Sequence, residues 1–308
     1  MDKILLIDAH NQIWRASINF GPNKQKHVQC TEQCNHKLAD QAHCNCGQVW
    51  RLDYDLCVSQ TEQDYVLIFN FFRSLRYMIE MFTPDKCFFV LEGHPQFRYD
   101  LFADYKANRI VKQASKQDTL DHFHKSKKEI IRLMQLLPIT TVKASQYECD
   151  DVIATLCENM KEEHLTVLSN DSDYIQLLQR GYSNCQIFNP IKKEFMKAPE
   201  YPYVAWKSLN GDKSDNIPGL LKTKKALETS LNPSLFEKFL SSEENRSNFS
   251  INRQLIEFRN VPEDEIELFE GIQNFSALKE EFQKMKFESI INEKSWNKFC
   301  STFNCLKY

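Results

Sequence analysis

ECDDVIATL, residues 148–156, sets three carboxylates within four positions and follows them with an apolar run. Acids at a helix start are ordinary, because they cap free N–H groups and complement the helix dipole. Three together repel one another, and they stay ionised only where something positive lies among them. The segment just before it, ITTVKA (139–144), has the short apolar character of a buried strand, so the acids stand where a strand hands over to a helix.

The same handover recurs along the chain. KILLID (3–8) is a buried parallel strand that ends on Asp8, and KCFFVLE (86–92) is a second that ends on Glu92. LTVLSN (165–170) is a fourth and leads to Asp171 and Asp173, with CQIFN (185–189) as a fifth. Helical spacing over 66–82, over 129–137 and after 148 separates the strands. Alternation of this kind predicts an α/β fold with a largely parallel sheet and helices on both faces. Ligands of such sheets bind beyond the carboxyl ends of the strands. Glu148, Asp150, Asp151, Asp8, Glu92, Asp171 and Asp173 therefore converge on one edge. Oxygen-only ligation favours magnesium or manganese over zinc, and so many acids exceed what one ion needs. Two such ions point to phosphodiester chemistry, with water as the nucleophile.

Composition sets the outer bounds. The chain has 308 residues, 42% hydrophobic and 26% charged, and a net charge of −3, which describes a soluble globular protein. No stretch of eighteen uncharged apolar residues calls for a membrane span, and MDKILLIDAHN lacks the features of a secretory signal. Seven of the eleven cysteines are scattered, which suits a reducing cytoplasm. The net charge hides its distribution: once the clustered acids are set aside, the rest of the chain is basic. The segment 98–132 holds Arg98, Lys106, Arg109, Lys112, Lys116, Lys125, Lys127, Lys128 and Arg132 against five acids. A solvated helix face of mixed charge accounts for most of these as well as phosphate contact does.

LLIDAHN, FRYDLFADYKANR (97–109), YECDDVIATL (147–156), VLSNDSDYIQLL (167–178) and LNGDKSDNIPGL (209–220) occur in that order. Together they resemble the signature blocks of the structure-specific 5′ nucleases: the nuclease domain of bacterial DNA polymerase I, the stand-alone phage 5′→3′ exonucleases and the flap endonucleases. With no polymerase following, the chain is similar to the stand-alone phage type, which implies a cytoplasmic protein of a bacterial host.

The resemblance implies a PIN-like nuclease domain over 1–200, with a helical arch at 93–128. It also implies a helical duplex-binding region over 201–308 with a helix–turn–helix-like element. Asp8, Glu92, Glu148 and Asp150 would hold one metal, and Asp171, Asp173 and Asp212 the other, with Asp151 and Asp215 close by. Glu92 departs from the family's aspartate. Lys106 and Arg109 would stand beside the scissile phosphate as catalytic groups. Arg98, Tyr105, Lys222, Lys224 and Lys225 would contact DNA, although core packing is the commoner fate of a lone tyrosine. The potassium ion often bound in the family's glycine-rich turn lacks that turn here, since Leu220, Leu221 and Lys222 follow Gly219 directly. The substrate implied is flap, nicked or primer-bearing DNA, and a monomer is expected.

Residues 20–63 read as a polar insertion outside these blocks. Its C-x3-C-x9-C-x-C spacing offers Cys30, Cys34, Cys44 and Cys46, with His27, His36 and His43 nearby, to a structural zinc ion. Free thiols in a reducing cell fit it too. Two other functions stay open at this stage: a PIN-type ribonuclease acting on single-stranded RNA, and a non-catalytic DNA-binding protein that kept the fold.

Overall fold

The computed structural model describes residues 1–18, 49–51, 56–58, 65–109 and 117–307. Cys30, Cys34, Cys44 and Cys46, the histidines beside them, and Lys112 and Lys116 lie outside the described residues. The chain runs β1 (Lys3–Asp8), α1 (Ala9–Ile18), β2 (Val49–Arg51), β3 (Leu56–Val58), α2 (Val66–Phe82), β4 (Lys86–Val90), α3 (Gln96–Leu101) and α4 (Gln117–Met134). It continues through β5 (Thr140–Lys143), α5 (Cys149–Asn159), β6 (His164–Leu168), α6 (Ile175–Gln179), β7 (Cys185–Asn189) and β8 (Glu194–Phe195). Last come α7 (Tyr203–Asn210), α8 (Thr223–Leu231), α9 (Pro233–Leu240), α10 (Glu243–Ile256), β9 (Glu267–Glu270), α11 (Phe275–Lys284), α12 (Glu288–Ile291) and α13 (Glu293–Phe303).

Seven strands form one sheet in the order β8-β7-β6-β1-β4-β5-β9. The five expected strands are its parallel centre, and the two short outer strands pair antiparallel. β1 shows why the sheet has two covered faces. Its side chains alternate, so Leu5 and Ile7 enter one core with Phe71, Phe72, Phe89 and Ile130, while Ile4 and Leu6 enter the other with Val142, Val152, Ile153 and Leu177. A third, smaller core around Leu209, Ala226 and Phe249 holds the helices after Tyr203 together. Among the described residues no helix is long and apolar enough to cross a membrane.

The structure departs from the sequence expectations in three places. α4 starts at Gln117 rather than near Glu129, because the polar stretch before the apolar run is still helical. β9 reads ELFE and lies fully exposed, so it has no apolar run to announce it; a charged, short edge strand is how sheets protect their margins. After β9 the chain does not extend the helical region but returns to the sheet. Leu278, Phe282, Trp296, Phe299 and Phe303 join the same core as α2.

What matters for function is how the loops past β4 and β5 meet. Gly93 N–H donates to Tyr147 O at 3.0 Å, and His94 N–H to Ser145 O at 2.9 Å. A Cβ on Gly93 would lie 2.1 Å from Ala144 O and 2.3 Å from Tyr147 O, both backbone atoms that cannot move aside. This close approach brings Glu92 to the first turn of α5, where its carboxylate accepts from Cys149 N–H at 3.1 Å. Gly93→Ala is expected to lower unfolding free energy by about 2 kcal/mol or more. A thermal melt unchanged from wild type would show that the loops can part without cost.

Candidate metal centre

Each acid reaches the site for a structural reason. Asp8 is the last residue of β1, Glu92 lies just past β4, Glu148 precedes α5, and Asp171 follows β6. Asp212 and Asp215 arrive from the other side, in the turn after α7. There Gly211, at a positive φ of 75°, ends the helix, and Asp212 and Ile217 bridge antiparallel. This turn is tied to the YKANR segment: Lys106 N–H donates to Asp215 O at 2.9 Å, Asn108 Nδ2 to Lys213 O at 2.6 Å, and Asn216 Nδ2 to Asp104 O at 2.8 Å. Glu148, Asp150, Asp173, Asp212 and Asp215 consequently line one small cleft, together with Arg98, Tyr105 and Lys207.

The nine carboxylates are not equivalent. Asp151 is 0% exposed and Arg98 is 1% exposed. They form a two-point ion pair, Nη1 to Oδ2 at 2.6 Å and Nη2 to Oδ1 at 2.8 Å. Arg259 N–H also donates to Asp151 Oδ1 at 2.8 Å, and Arg98 Nε to Leu255 O at 3.1 Å. This pair clamps α3, α5 and the end of α10 together. The expectation that Arg98 contacts DNA therefore needs correcting, since Arg98 is spent in the interior, while Asp151 stays beside Glu148 and Asp150 as expected but has Arg98 as its cation. Tyr105 is corrected likewise. It is buried against Ile217, Leu255 and Ile256, and its hydroxyl donates to Glu148 Oε2 at 2.9 Å, so it offers no face to a base.

Glu148 is shared: Arg98 Nη1 lies 2.8 Å from Oε2, and Lys106 Nζ pairs with Oε1. Arg109 pairs with Asp215. Among the described residues no lysine or arginine forms a salt bridge with Asp8, Glu92, Asp150 or Asp171. Asp8 accepts only neutral donors, Asn11 N–H at 2.9 Å, Ser169 Oγ at 3.1 Å and Tyr174 OH at 3.3 Å. Burial, with Asp171 nearby, pushes Asp8 up to about 6. Burial and the neighbouring Glu148 push Glu92 up to about 7. Asp150 is raised well above the usual carboxylate range by burial and by Asp151 and Glu148. One oxygen each of Glu148, Asp150 and Asp151 lies within 4.8 Å of the others. Among these crowded oxygen donors Asp8, Glu92 and Asp150 have no cation of their own, which fits a hard divalent metal ion whose charge would let them ionise.

The second group is different. Lys207, from α7, pairs with Asp173 Oδ1 and lies 2.6 Å from Asp212 Oδ2. Burial pushes Asp173 up, only partly offset by Lys207, to about 6. Against burial, Lys207 and Ser214 pull Asp212 down to about 2. Lys207 escaped sequence reasoning because it precedes the GDKSDN block, although a lysine five residues before Asp212 was a usable signal. A second omission is an aromatic group between α1 and α4, where His10, half-exposed Trp14 and Phe123 pack together. Trp14 and Phe123 have ring centroids 5.3 Å apart, and α1, which carries His10 and Trp14, begins immediately after Asp8. Lys222, Lys224 and Lys225 are exposed at the start of α8, 10 residues or more beyond Asp212 in sequence.

Two outcomes follow from these charges. Asp151→Asn leaves Arg98 buried without its counter-charge and is expected to cost about 3–5 kcal/mol, most of it recovered by Arg98→Met with Asp151→Leu. A small cost together with loss of a bound divalent ion would instead make Asp151 a metal ligand. The raised carboxylates also predict a pH dependence. The folded protein holds protons that the unfolded chain releases, so their stabilising effect is complete below about pH 4 and lost as pH rises through 6 to 7. Metal-free protein should melt at lower temperature at about pH 8 than at about pH 5. Added magnesium should raise the melting temperature more at the higher pH, and an equal effect at both would contradict the assignment.

Comparison with known proteins agrees with this fold. Residues 48–203, half the chain, match the family model described as the 5′-3′ exonuclease, N-terminal resolvase-like domain. DNA polymerase I of Streptococcus pneumoniae is 30% identical over 168 residues, 50% of this chain, and the match spans 18% of that protein's length. A 5′-3′ exonuclease of Mycobacterium tuberculosis is 28% identical over 152 residues, 42% of this chain and 48% of that protein. The fold as a whole matches the flap endonuclease of bacteriophage T5, solved as a pseudo-enzyme–product complex with DNA and metal ions. That likeness has a TM-score of 0.59 at 13% identity and covers 98% of this chain and 97% of that one. With the sheet, the acidic strand ends and the matched residues in agreement, the chain belongs to the family of 5′-3′ exonuclease N-terminal, resolvase-like domains.

Proposed function

We propose that the chain is a divalent-metal-dependent 5′ nuclease that hydrolyses phosphodiester bonds at the 5′ ends of branched, nicked or primer-bearing DNA. The observation that carries this is the meeting of Glu148, Asp150, Asp173, Asp212 and Asp215 with the YKANR segment at one cleft, with the uncompensated Glu92 and Asp8 close enough to Glu148 and to each other to feel their charge. Magnesium is the ion the oxygen donors suit best, with manganese as a substitute. A pair of such ions supplies an activated water and neutralises charge in an in-line displacement. Asp8, Glu92, Glu148 and Asp150 would hold one, and Asp171, Asp173 and Asp212 the other.

The chain's own residues do the rest. Lys106 adopts a positive φ of 56°, an uncommon conformation for a non-glycine residue, and its ammonium pairs with Glu148 at the cleft. From there it can stabilise charge on the scissile phosphate. Arg109 is half exposed beside Asp215, so one edge of its guanidinium is free to grip a phosphate by two bonds. Trp14 is 46% exposed and provides a ring face for a base near the end of the strand. Lys222, Lys224 and Lys225 would contact duplex phosphates as part of a helix–turn–helix-like element, through interactions that weaken with salt. Residues 93–128 would form the arch around the 5′ end.

The test is cleavage of a 5′-labelled flap duplex with magnesium, beside an unstructured RNA of the same length. The flap is expected to be cut near its junction and the RNA to be spared. The Asp171→Ala, Asp173→Ala double variant should lose at least about 100-fold in rate. Lys106→Ala should lower the single-turnover rate by a similar factor while affinity barely changes. Binding of the flap without cutting would favour a scaffold protein, and preferential cutting of the RNA a ribonuclease.

A further inference from the structure

We infer that Lys207 is the built-in cation of the second carboxylate group: its ammonium holds Asp173 and Asp212 together until a divalent ion replaces it. The inference rests on the metal-dependent function proposed above and deepens it. Lys207 is only 7% exposed. Its Nζ contacts Asp173 Oδ1 and lies 2.6 Å from Asp212 Oδ2, and these carboxylates come from separate segments, the turn after β6 and the turn after α7. Tyr203, on the same helix as Lys207, donates its hydroxyl to the same Asp173 oxygen at 2.8 Å, and its ring lies 5.9 Å from Nζ. Among the described residues Lys207 is the group that bridges the two acids, while Tyr203 holds Asp173 and Ser214 holds Asp212.

The first group has no such occupant. Lys106 holds Glu148 but forms no salt bridge with Asp8, Glu92 or Asp150. The asymmetry has a chemical consequence. A hard divalent ion sits about 2.0–2.5 Å from its oxygen ligands. An ion using Asp173 Oδ1 and Asp212 Oδ2 would therefore crowd an ammonium already in contact with both. The two cations exclude each other, so the second ion binds only when Lys207 withdraws. A lysine is suited to such a part, because its charge is compact and its four-carbon stem is flexible. Withdrawal costs least when another anion takes the ammonium, and the anion this cleft is proposed to receive is a DNA phosphate. Occupancy of the second site is thereby linked to the presence of substrate, and by reciprocity the second ion strengthens DNA binding.

The experiment is a calorimetric titration of the full chain with manganese, first without DNA and then with a short nicked duplex. In wild type, one ion is expected to bind tightly and a second more weakly, with the duplex strengthening the second. Lys207→Met, which keeps the apolar stem and loses the charge, should strengthen second-ion binding by about tenfold or more without DNA. It should leave the first ion unchanged and abolish most of the effect of the duplex. Lys207→Gln serves as the second variant, and manganese should raise the melting temperature of both variants more than that of wild type. Second-ion affinity that is unchanged or weakened in both variants would make Lys207 a permanent strut and overturn the inference alone. If wild type binds no manganese, the metal-dependent function falls, and the role of Lys207 with it.

Discussion

Charge at the carboxyl ends of the central strands is the constraint from which the rest of the structure follows. A parallel sheet needs crossover helices, and its strand ends all point to one edge, so acids placed there must crowd together. Arg98, Lys106, Arg109 and Lys207 neutralise part of that charge, each through contacts with particular acids. Asp8, Glu92, Asp150 and Asp171 are left over. Such groups do not stabilise a fold on their own account. For Asp8, Glu92 and Asp150, burial without a partner disfavours the charged form, and a divalent ion removes the penalty.

The cations also explain how two parts of the chain become one site. Arg98 reaches from the YKANR side to Asp151 and to the backbone at Leu255, so the acidic helix start is fixed to the end of α10. Lys207 joins the acids after β6 to the turn after α7. The hydrogen bonds between 104–108 and 213–216, from Asn108, Asn216 and the Lys106 backbone, complete the enclosure. The helical region after Tyr203 is thus a wall of the cleft, while the last helices, through Phe282, Phe299 and Phe303, support the sheet from its far side.

Much of this was legible in the sequence. Buried strands such as KILLID declare themselves by composition, and acids at their ends declare an edge. What was not legible was how the charges pair. Asp151 looks the same in ECDD as Asp150, yet one faces Arg98 in the interior and the other has no cation. Arg98 lies 53 positions away, and only the fold joins them. Tyr105 sits beside Lys106 in the sequence, but its ring turns to an apolar core formed by residues far along the chain. β9 was hidden for a different reason, since a solvent-exposed edge strand needs no apolar pattern to form.

Diffraction from crystals soaked in manganese, phased on the anomalous signal of the ion, would test the metal centre most directly. The account predicts two peaks about 3.5–4 Å apart, one against Asp8, Glu92, Glu148 and Asp150 and one against Asp171, Asp173 and Asp212, with the Lys207 ammonium moved off Asp212. No peak in the cleft at saturating manganese, with Lys207 still between its two acids, would contradict it.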